Sequence, residues 1–163
     1  MQIKLLLRFL FLLSIALWVG GMFFFSSIAA PSIFKTLDRT LAGDVVSAIF
    51  RKYYLLGYIC GAIAILTYAL AWAFETAPNH LVYTITILCL VAMVGLFVYS
   101  GEFVRPEAHR VRTELRSLEP GSPKVEAASK RFSSLHRRSV AINGAVFALG
   151  IVIILLTAYN YRE

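Results

Sequence analysis

The sequence predicts an all-α fold: an integral membrane four-helix bundle with a cytoplasmic amphipathic helix after span 1 and a helical hairpin extension between spans 3 and 4. Of the 163 residues, 59% are hydrophobic and 15% are charged, whereas a soluble domain is about half apolar and about a quarter charged. The apolar residues are also gathered into four long blocks. Because lipid offers the backbone no hydrogen-bond partner, each block must be helical to cross a bilayer.

The four apolar blocks cover residues 5–33, 54–74, 81–103 and 140–159. Each is long enough to cross about 30 Å of hydrocarbon, which takes about 20 helical residues. The first block begins like a secretion signal, but its apolar run exceeds the roughly 7–15 residues of a signal's core. We therefore expect a retained first span and a single four-span domain over residues 1–163.

The connection after the first span has the pattern of an amphipathic helix. In KTLDRTLAGDVVSAIFRKYY, apolar residues recur every four positions and polar residues fill the other faces. The recurring residues are Leu37, Leu41, Val45, Ile49 and Tyr53. Such a helix lies on the membrane surface. Gly43 followed by Asp44 predicts a break, with the Asp44 carboxylate capping a second helical piece.

The connection between spans 3 and 4 predicts a helical hairpin. Its sequence, RPEAHRVRTELRSLEPGSPKVEAASKRFSSLHRR, has helical spacing on both sides of EPGSP. Pro120, Gly121 and Pro123 in that motif predict a turn. We expect spans 3 and 4 to continue past the bilayer as helices and to meet at this turn.

The distribution of Lys and Arg predicts the orientation of the chain. The first and third connections together carry thirteen of these residues, whereas the two termini and the second connection, ETAPNH, carry three. Basic residues accumulate on the cytoplasmic side, so both termini are expected outside and the two long connections in the cytoplasm. The net charge of +7 predicts contact with anionic lipid headgroups. No motif indicates nucleic-acid binding.

Glycines within the spans predict close helix packing. Gly57 and Gly61 are four residues apart in the second span, and Gly20 and Gly21 are adjacent in the first. Small residues at such positions let helix backbones approach closely. We expect these contacts within the bundle, and an interface with a second copy of the chain is the alternative.

Polar and ionisable residues in or near a span are costly, so each is a candidate for function. Glu102 lies near the end of the third span, three residues before Arg105, which suits an ion pair on one helix face. That pair would fix the depth of the span, and a proton or cation site at the cytoplasmic mouth is the alternative. His136, Ser139 and Asn143 form a stripe that descends into the fourth span. We expect Asn143 to hydrogen-bond a neighbouring helix.

The same stripe suggests haem b as an alternative. A haem would take a second histidine from a facing helix, and His109 is the candidate. For a turn centred on Gly121, His109 and His136 are offset by three residues, or about 4.5 Å. The two histidines are also the candidates for a transition-metal site, and Trp18 is a residue that could lie against a ligand. No catalytic motif is present, so we expect no catalytic residue, metal or cofactor.

Two separated signatures resemble one family. The first, in LWVGGMFFFSSIAAPSIFKTLDRTLAGDVVSAIFRKYYLLG, comprises Trp18-x-Gly20-Gly21, Ala30-Pro31-x-x-Phe34 and Ala42-Gly43 followed by Phe50. The second, in FSSLHRRSVAIN, comprises Phe132, Leu135-His136, Ser139 and Asn143, and Arg105-Pro106 fits as well. These residues resemble bacterial members of the transmembrane-protein-205-like family. The resemblance spans nearly the whole chain and implies a four-span membrane protein of unknown function. More distantly, the four-span plan is similar to HemJ-type protoporphyrinogen oxidases and to the membrane part of copper-resistance protein D.

The sequence therefore predicts a small non-enzymatic protein of the bacterial inner membrane, acting as an accessory subunit or as a factor that handles a small solute or a metal. A haem- or porphyrin-binding redox protein that uses His136 is the first alternative. An oligomeric channel or transporter is the second, because four short spans enclose little space in one copy. The expected partners are the lipid bilayer and either other membrane proteins or a second copy.

Overall fold

The computed structural model describes residues 2–74, 79–119 and 121–160, and every regular element among them is helical. The elements in chain order are α1 (Gln2–Phe24), a first π-helical turn (Phe25–Ala29), α2 (Ala30–Thr36), α3 (Arg39–Ala73), α4 (His80–Tyr99), a second π-helical turn (Ser100–Val104), α5 (Arg105–Ser117) and α6 (Pro123–Asn160). The predicted all-α fold is confirmed.

Four continuous helical rods are long and apolar enough to cross a membrane, which confirms the four-span prediction. They are Gln2–Thr36, Arg39–Ala73, His80–Ser117 and Pro123–Tyr159. The rods form a ring in which α1 and α4 each pack against both α3 and α6. Between 22% and 39% of each apolar segment is buried, so most of the apolar side chains face outwards, where lipid would cover them.

The core of the ring consists of apolar side chains from all four rods. Its members are Phe11, Ile15, Trp18, Val19, Met22, Tyr54, Cys60, Ala64, Leu90, Met93, Phe97, Val146 and Ile153. Lipid tails are as apolar as these side chains, so the association of the rods depends on close packing and on hydrogen bonds between helices.

Both long connections lie at the same end of the ring, which we call the hairpin end. There α5 packs along α6 and forms the predicted extension. Gly121 in the turn has φ of 85°, a backbone conformation that favours glycine. Pro120, like residues 75–78 of the second connection, lies outside the described residues.

The amphipathic segment after the first span is helical, as predicted, but it is continuous with the second span. The carboxylate of Asp38 accepts hydrogen bonds from the backbone N–H groups of Thr40 and Leu41 and so caps α3. The break predicted at Gly43 and Asp44 is absent, because α3 is already capped at Asp38 and continues over 35 residues.

Two prolines inside the rods, Pro31 and Pro106, follow the two π-helical turns. Pro31 and Pro106 are the second residues of α2 and α5. In an α-helix a proline ring collides with the carbonyl four residues earlier. In the second π-helical turn the N–H of Arg105 instead bonds to the carbonyl of Ser100, five residues back. The wider turn lets each rod continue past its proline.

Candidate functional site

Two tyrosines of α3 reach across the hairpin end to the second π-helical turn. Tyr58 Oη donates to Glu102 Oε1 at 2.7 Å, and the Tyr54 and Ser100 hydroxyls lie 2.9 Å apart. Tyr54 and Ser100 are 2% and 1% exposed. Because these hydroxyls satisfy one another in an apolar environment, they connect spans 2 and 3 at a defined register.

Gly101 provides the space for both tyrosines. A Cβ at this position would collide with the Tyr58 hydroxyl and would lie 2.8 Å from Cδ1 of Tyr54. Any larger residue would therefore displace one or both rings. The close approach of α3 to the second π-helical turn explains the glycine.

Asn143 connects α6 to α3. Its side-chain oxygen accepts a hydrogen bond from Tyr53 Oη at 3.1 Å, and its amide nitrogen donates to the backbone carbonyl of Ser139 at 3.0 Å. Asn143 thus makes a bond to a neighbouring helix, and Ser139 contributes its carbonyl rather than its hydroxyl.

Glu102 and Arg105 contact tyrosines of α3 rather than each other. The Arg105 guanidinium lies over the Tyr54 ring, 5.7 Å from its centroid, while Glu102 accepts from Tyr58. Within the ranges that the structure describes, no ion pair joins the two residues. Glu102 lies within the second π-helical turn and Arg105 directly follows it, so their angular offset differs from that of three residues in an α-helix.

Two arginines fasten α5 to the first turns of α3, and we call this contact the arginine clasp. Arg112 donates to the Ser47 hydroxyl at 2.7 Å and to the backbone carbonyl of Gly43. Arg112 and Arg116 both pair with the carboxylate of Asp44, at 3.1 and 2.7 Å. A Cβ at Gly43 would collide with the Arg112 guanidinium, which explains a glycine inside a helix. The clasp consists of Gly43, Asp44, Ser47, Arg112 and Arg116.

The clasp lowers the pKa of Asp44 below its usual value. The hydrogen bond from Arg116 is the largest cause of the lowered pKa. Desolvation, the second-largest cause, acts in the opposite direction, and electrostatic interactions with Arg116, Arg112 and His109 lower the pKa further. The carboxylate that the sequence suggested as a helix cap is therefore an ionised acceptor for α5. His109 lies three residues before Arg112 on α5 and therefore shares the side of α5 that faces α3.

The other side of α5 is joined to α6. Glu107 accepts a hydrogen bond from Arg131 of α6 and lies 3.6 Å from Arg110. Val111 of α5 and Ala128 of α6 are 1% and 6% exposed. Polar contacts on two sides and apolar burial therefore hold the hairpin extension in place.

Seven cations near the apolar blocks at the hairpin end differ from those of the clasp and the hairpin. They are Lys35, Arg39, Arg51, Lys52, Arg105, Arg137 and Arg138, and we call them the boundary cations. Within residues 2–74, 79–119 and 121–160, no carboxylate lies within ion-pair distance of any of them. Arg138 lies 5.2 Å from the centroid of the Tyr99 ring, an arrangement like that of Arg105 on Tyr54.

The two histidines of the haem alternative are exposed and lie far apart along the hairpin. Glu107 contacts Arg131 and Tyr99 contacts Arg138, which places His109 level with about residue 129 of α6. His136 lies about seven residues, or about 10 Å, further along α6, a larger offset than the three residues expected for a turn centred on Gly121. In the described part of the chain, no group of three or more His, Cys, Asp or Glu side chains is arranged to hold a metal.

His136 and Trp18 both contact aromatic rings. The His136 ring stacks on Phe132 at 6.5 Å. Trp18 is 2% exposed and lies edge-on to Phe97 at 5.1 Å. Cβ atoms at Gly57 and Gly61 would lie about 3 Å from the Trp18 indole, so these two glycines accommodate it.

The other two predicted packing glycines differ from this pair. A Cβ added at Gly21 would lie 3.8 Å from one side-chain atom of Leu56, and a Cβ added at Gly20 would have no atom within 4 Å. Gly20 is exposed on the outer face of α1. It therefore takes no part in packing within the described bundle.

Sequence reasoning missed Tyr54, Tyr58, Gly101 and the arginine clasp. Tyr54 and Tyr58 continue the spacing of three and four residues that begins at Asp44 and Ser47, so all four lie on one face of α3, and this pattern could have identified them. The clasp arginines, Arg112 and Arg116, lie seven and eleven residues after Arg105, so all three are on one face of α5. Neither stripe identifies its partner, because pairing depends on the register of two distant helices.

Comparison with protein families matches residues 13–117 to a domain of unknown function, DUF4149. No curated protein and no solved structure matches the chain. The matched segment begins within α1 and ends at the last residue of α5, so it includes both π-helical turns, the tyrosines of α3 and the clasp. Since the match covers more than half of the 163 residues, the chain belongs to the DUF4149 family.

Proposed function

We propose that this protein is a non-enzymatic accessory subunit of the bacterial inner membrane that presents a braced helical hairpin to a partner in the cytoplasm. The resemblance to bacterial transmembrane-protein-205-like proteins supports the location. The excess of Lys and Arg in the two long connections supports the orientation, with both termini outside.

The observation that carries the proposal is the bracing of α5. The clasp holds it to α3, and Glu107 with Arg131 holds it to α6. A connection that served only to join two spans would need neither contact. A hairpin held in one orientation suits recognition of a partner, because less conformational freedom is lost on binding.

The packing of the interior favours a non-enzymatic role. Trp18, Phe97 and the glycines beside them fill the centre of the ring. A cavity lined by Phe11, Tyr68 and Thr157 has a volume of about 20 Å³, which suits about one water molecule.

The boundary cations support contact with anionic headgroups. They flank the apolar blocks and leave their charges without acidic partners among the described residues. Cations near an anionic leaflet each contribute about 1 kcal/mol to its attraction for the protein. This contact would orient the hairpin relative to the bilayer.

Site-specific cross-linking from the hairpin tests the accessory role. With Cys60 and Cys89 replaced by alanine, Ser129→Cys places a thiol on the exposed side of the hairpin and His80→Cys places one at the opposite end. A thiol-linked photo-cross-linker in native membranes should give a discrete adduct with a second protein from Ser129→Cys only. Adducts of equal yield from both positions, or none from Ser129→Cys, would contradict the proposal.

The same two variants test the orientation. An impermeant thiol reagent should label His80→Cys in intact cells, whereas Ser129→Cys should react only after the membrane is opened. The reverse pattern would place the hairpin outside. The absorption spectrum of the purified protein addresses the haem alternative: a Soret band that disappears in His136→Ala would replace the accessory role with a haem-binding one.

A further inference from the structure

The face of α3 that carries the clasp continues towards the membrane, where its side chains also contact the second π-helical turn and the first residue of α5, Arg105. We call this contact the α3–α5 seam. Its α3 side consists of Asp44, Ser47, Arg51, Tyr54 and Tyr58, spaced by three and four residues. Its other side consists of Glu102 in the second π-helical turn and Arg105, His109, Arg112 and Arg116 on α5.

The seam is bonded near both of its ends. Towards the tip of the hairpin, Ser47 accepts from Arg112. Towards the membrane, Tyr54 lies under Arg105 and Tyr58 donates to Glu102. These contacts fix the antiparallel register of the two helices.

One level of the seam has only cationic or basic side chains. Arg51 lies four residues after Ser47, and His109 lies three residues before Arg112, so the register places Arg51 and His109 opposite each other. Both side chains are exposed. Arg105 is one turn from His109 along α5 and is partly buried.

The neighbouring carboxylates are already engaged. Asp44 pairs with Arg112 and Arg116, and Glu102 accepts from Tyr58. Among the described residues, none of the carboxylates lies within ion-pair distance of Arg51, Arg105 or His109. The middle of the seam is therefore a positive site between the clasp, where Asp44 is paired with two arginines, and Glu102, whose carboxylate accepts a hydrogen bond from Tyr58.

We propose that Arg51, Arg105 and His109 bind a phosphate group, supplied by the headgroup of an anionic phospholipid. Guanidinium groups bind phosphate oxygens through paired hydrogen bonds, and the imidazole offers a further donor. The site rests on the proposed contact between the boundary cations and the anionic leaflet.

The depth of the site selects a lipid as the source of the phosphate. Tyr54 begins the second apolar block, and Arg105 follows the end of the third, 81–103. The three basic side chains thus lie where apolar sequence gives way to polar sequence on two adjacent helices. Headgroup phosphates occupy this level of a bilayer.

Native mass spectrometry of the full chain in mild detergent tests the site. The probes are short-chain phosphatidylglycerol, phosphatidylcholine of equal chain length, and inorganic phosphate. The wild type should bind phosphatidylglycerol about tenfold more tightly than phosphatidylcholine, and the double variant Arg51→Gln/His109→Gln should lose about tenfold in affinity for phosphatidylglycerol. Arg110→Gln is the matched control, because Arg110 adjoins His109 but its side chain is 82% exposed and lies beside Glu107.

The outcomes separate this site from the broader proposal. A wild type without preference for phosphatidylglycerol would overturn both the site and the headgroup contact of the boundary cations. A preference that the double variant retains would overturn the site alone. Inorganic phosphate that binds as tightly as phosphatidylglycerol, and competes with it, would overturn the lipid as source and assign a soluble phosphate compound to the site. Arg51→Lys keeps the charge but loses the paired hydrogen bonds of the guanidinium, so its affinity for phosphatidylglycerol should lie between those of the wild type and the double variant. An unchanged helical circular dichroism spectrum of the double variant excludes a general loss of folding.

Discussion

The two ends of the bundle are held together by different contacts. At the hairpin end, hydroxyls and arginines bond from one helix to another, as between Tyr58 and Glu102. Towards the opposite end, the hydroxyls of Ser14, Thr67 and Thr157 donate to carbonyls four residues earlier in their own helices. Hydrogen bonds between helices select one register, whereas bonds within a helix satisfy the hydroxyl without choosing a partner.

The register of the helices is therefore set mainly at the hairpin end. Aromatic contacts such as Phe11 with Tyr68, at 4.9 Å, contribute packing at the opposite end. Packing of this kind tolerates repacking with similar volumes, whereas the loss of one member of a hydrogen-bond network leaves its buried partner unsatisfied. Substitutions that break the hairpin-end network should therefore cost more than similar substitutions elsewhere.

Gly101→Ala should have the largest effect. The new methyl group would collide with the Tyr58 hydroxyl and crowd Tyr54, so the free energy of unfolding should fall by about 1–3 kcal/mol. Denaturant titration in detergent micelles, followed by tryptophan fluorescence, measures it. Gly95→Ala is the control on the same rod, because no atom lies within 4 Å of its added Cβ. Equal losses in the two variants would refute the special role of the hairpin end.

Arg112→Gln should loosen the hairpin without unfolding the spans. It removes the bonds to Ser47 and Asp44, and the partial exposure of the pair limits the local cost to about 1 kcal/mol. Amide hydrogen exchange in α5 should then accelerate about fivefold. Arg110→Gln should leave these rates unchanged, and a matching acceleration there would show that charge alone, not the clasp, orders α5.

Tyr58→Phe should have a smaller effect. It removes one hydrogen bond between helices, for which losses in membrane proteins average about 0.6 kcal/mol. The matched control is Tyr99→Phe, since the Tyr99 ring contacts Phe103 and Arg138 but its hydroxyl makes no hydrogen bond to the described residues. The same denaturant titration compares the two variants. A greater loss of unfolding free energy for Tyr99→Phe than for Tyr58→Phe would contradict a stabilising role for the Tyr58 hydrogen bond.

The pH dependence of the clasp should be the smallest effect. The pKa of Asp44 is lowered in the folded chain from 3.8, so its contribution is present above that pH and is lost as pH falls through the lower folded value. Stability measured from about pH 5 downwards should therefore decline less in Asp44→Asn than in the wild type. Identical pH profiles for the wild type and Asp44→Asn would show that the pKa of Asp44 is the same in the folded and the unfolded chain.

The sequence allowed the spans and the hairpin to be predicted because those features depend on local composition. Apolar length requires four crossings, and EPGSP interrupts the helical pattern. The candidate site was harder to predict from the sequence than the spans. Asn143 was identified as a bond to another helix, but its partner Tyr53 is 90 residues away.

The expected ion pair of Glu102 with Arg105 shows the same limit on predicting side-chain contacts from the sequence. Their spacing fits an α-helix, but Glu102 lies within a π-helical turn that Arg105 directly follows, and each residue contacts a tyrosine of α3. The expected break at Gly43 also depended on local propensity. In the structure, the absence of a side chain at Gly43 leaves space for the Arg112 guanidinium. No local sequence pattern predicts this contact.

The helical class, the number of spans and the uneven distribution of charge follow from the sequence alone, since hydrophobic transfer and backbone hydrogen bonding act on each segment independently. The packing of the helices determines which cations pair with Asp44 in the clasp and which remain at the boundary. That choice depends on the register of α3 against α5, and register is set by contacts such as Ser47 with Arg112 that exist only when the helices pack together.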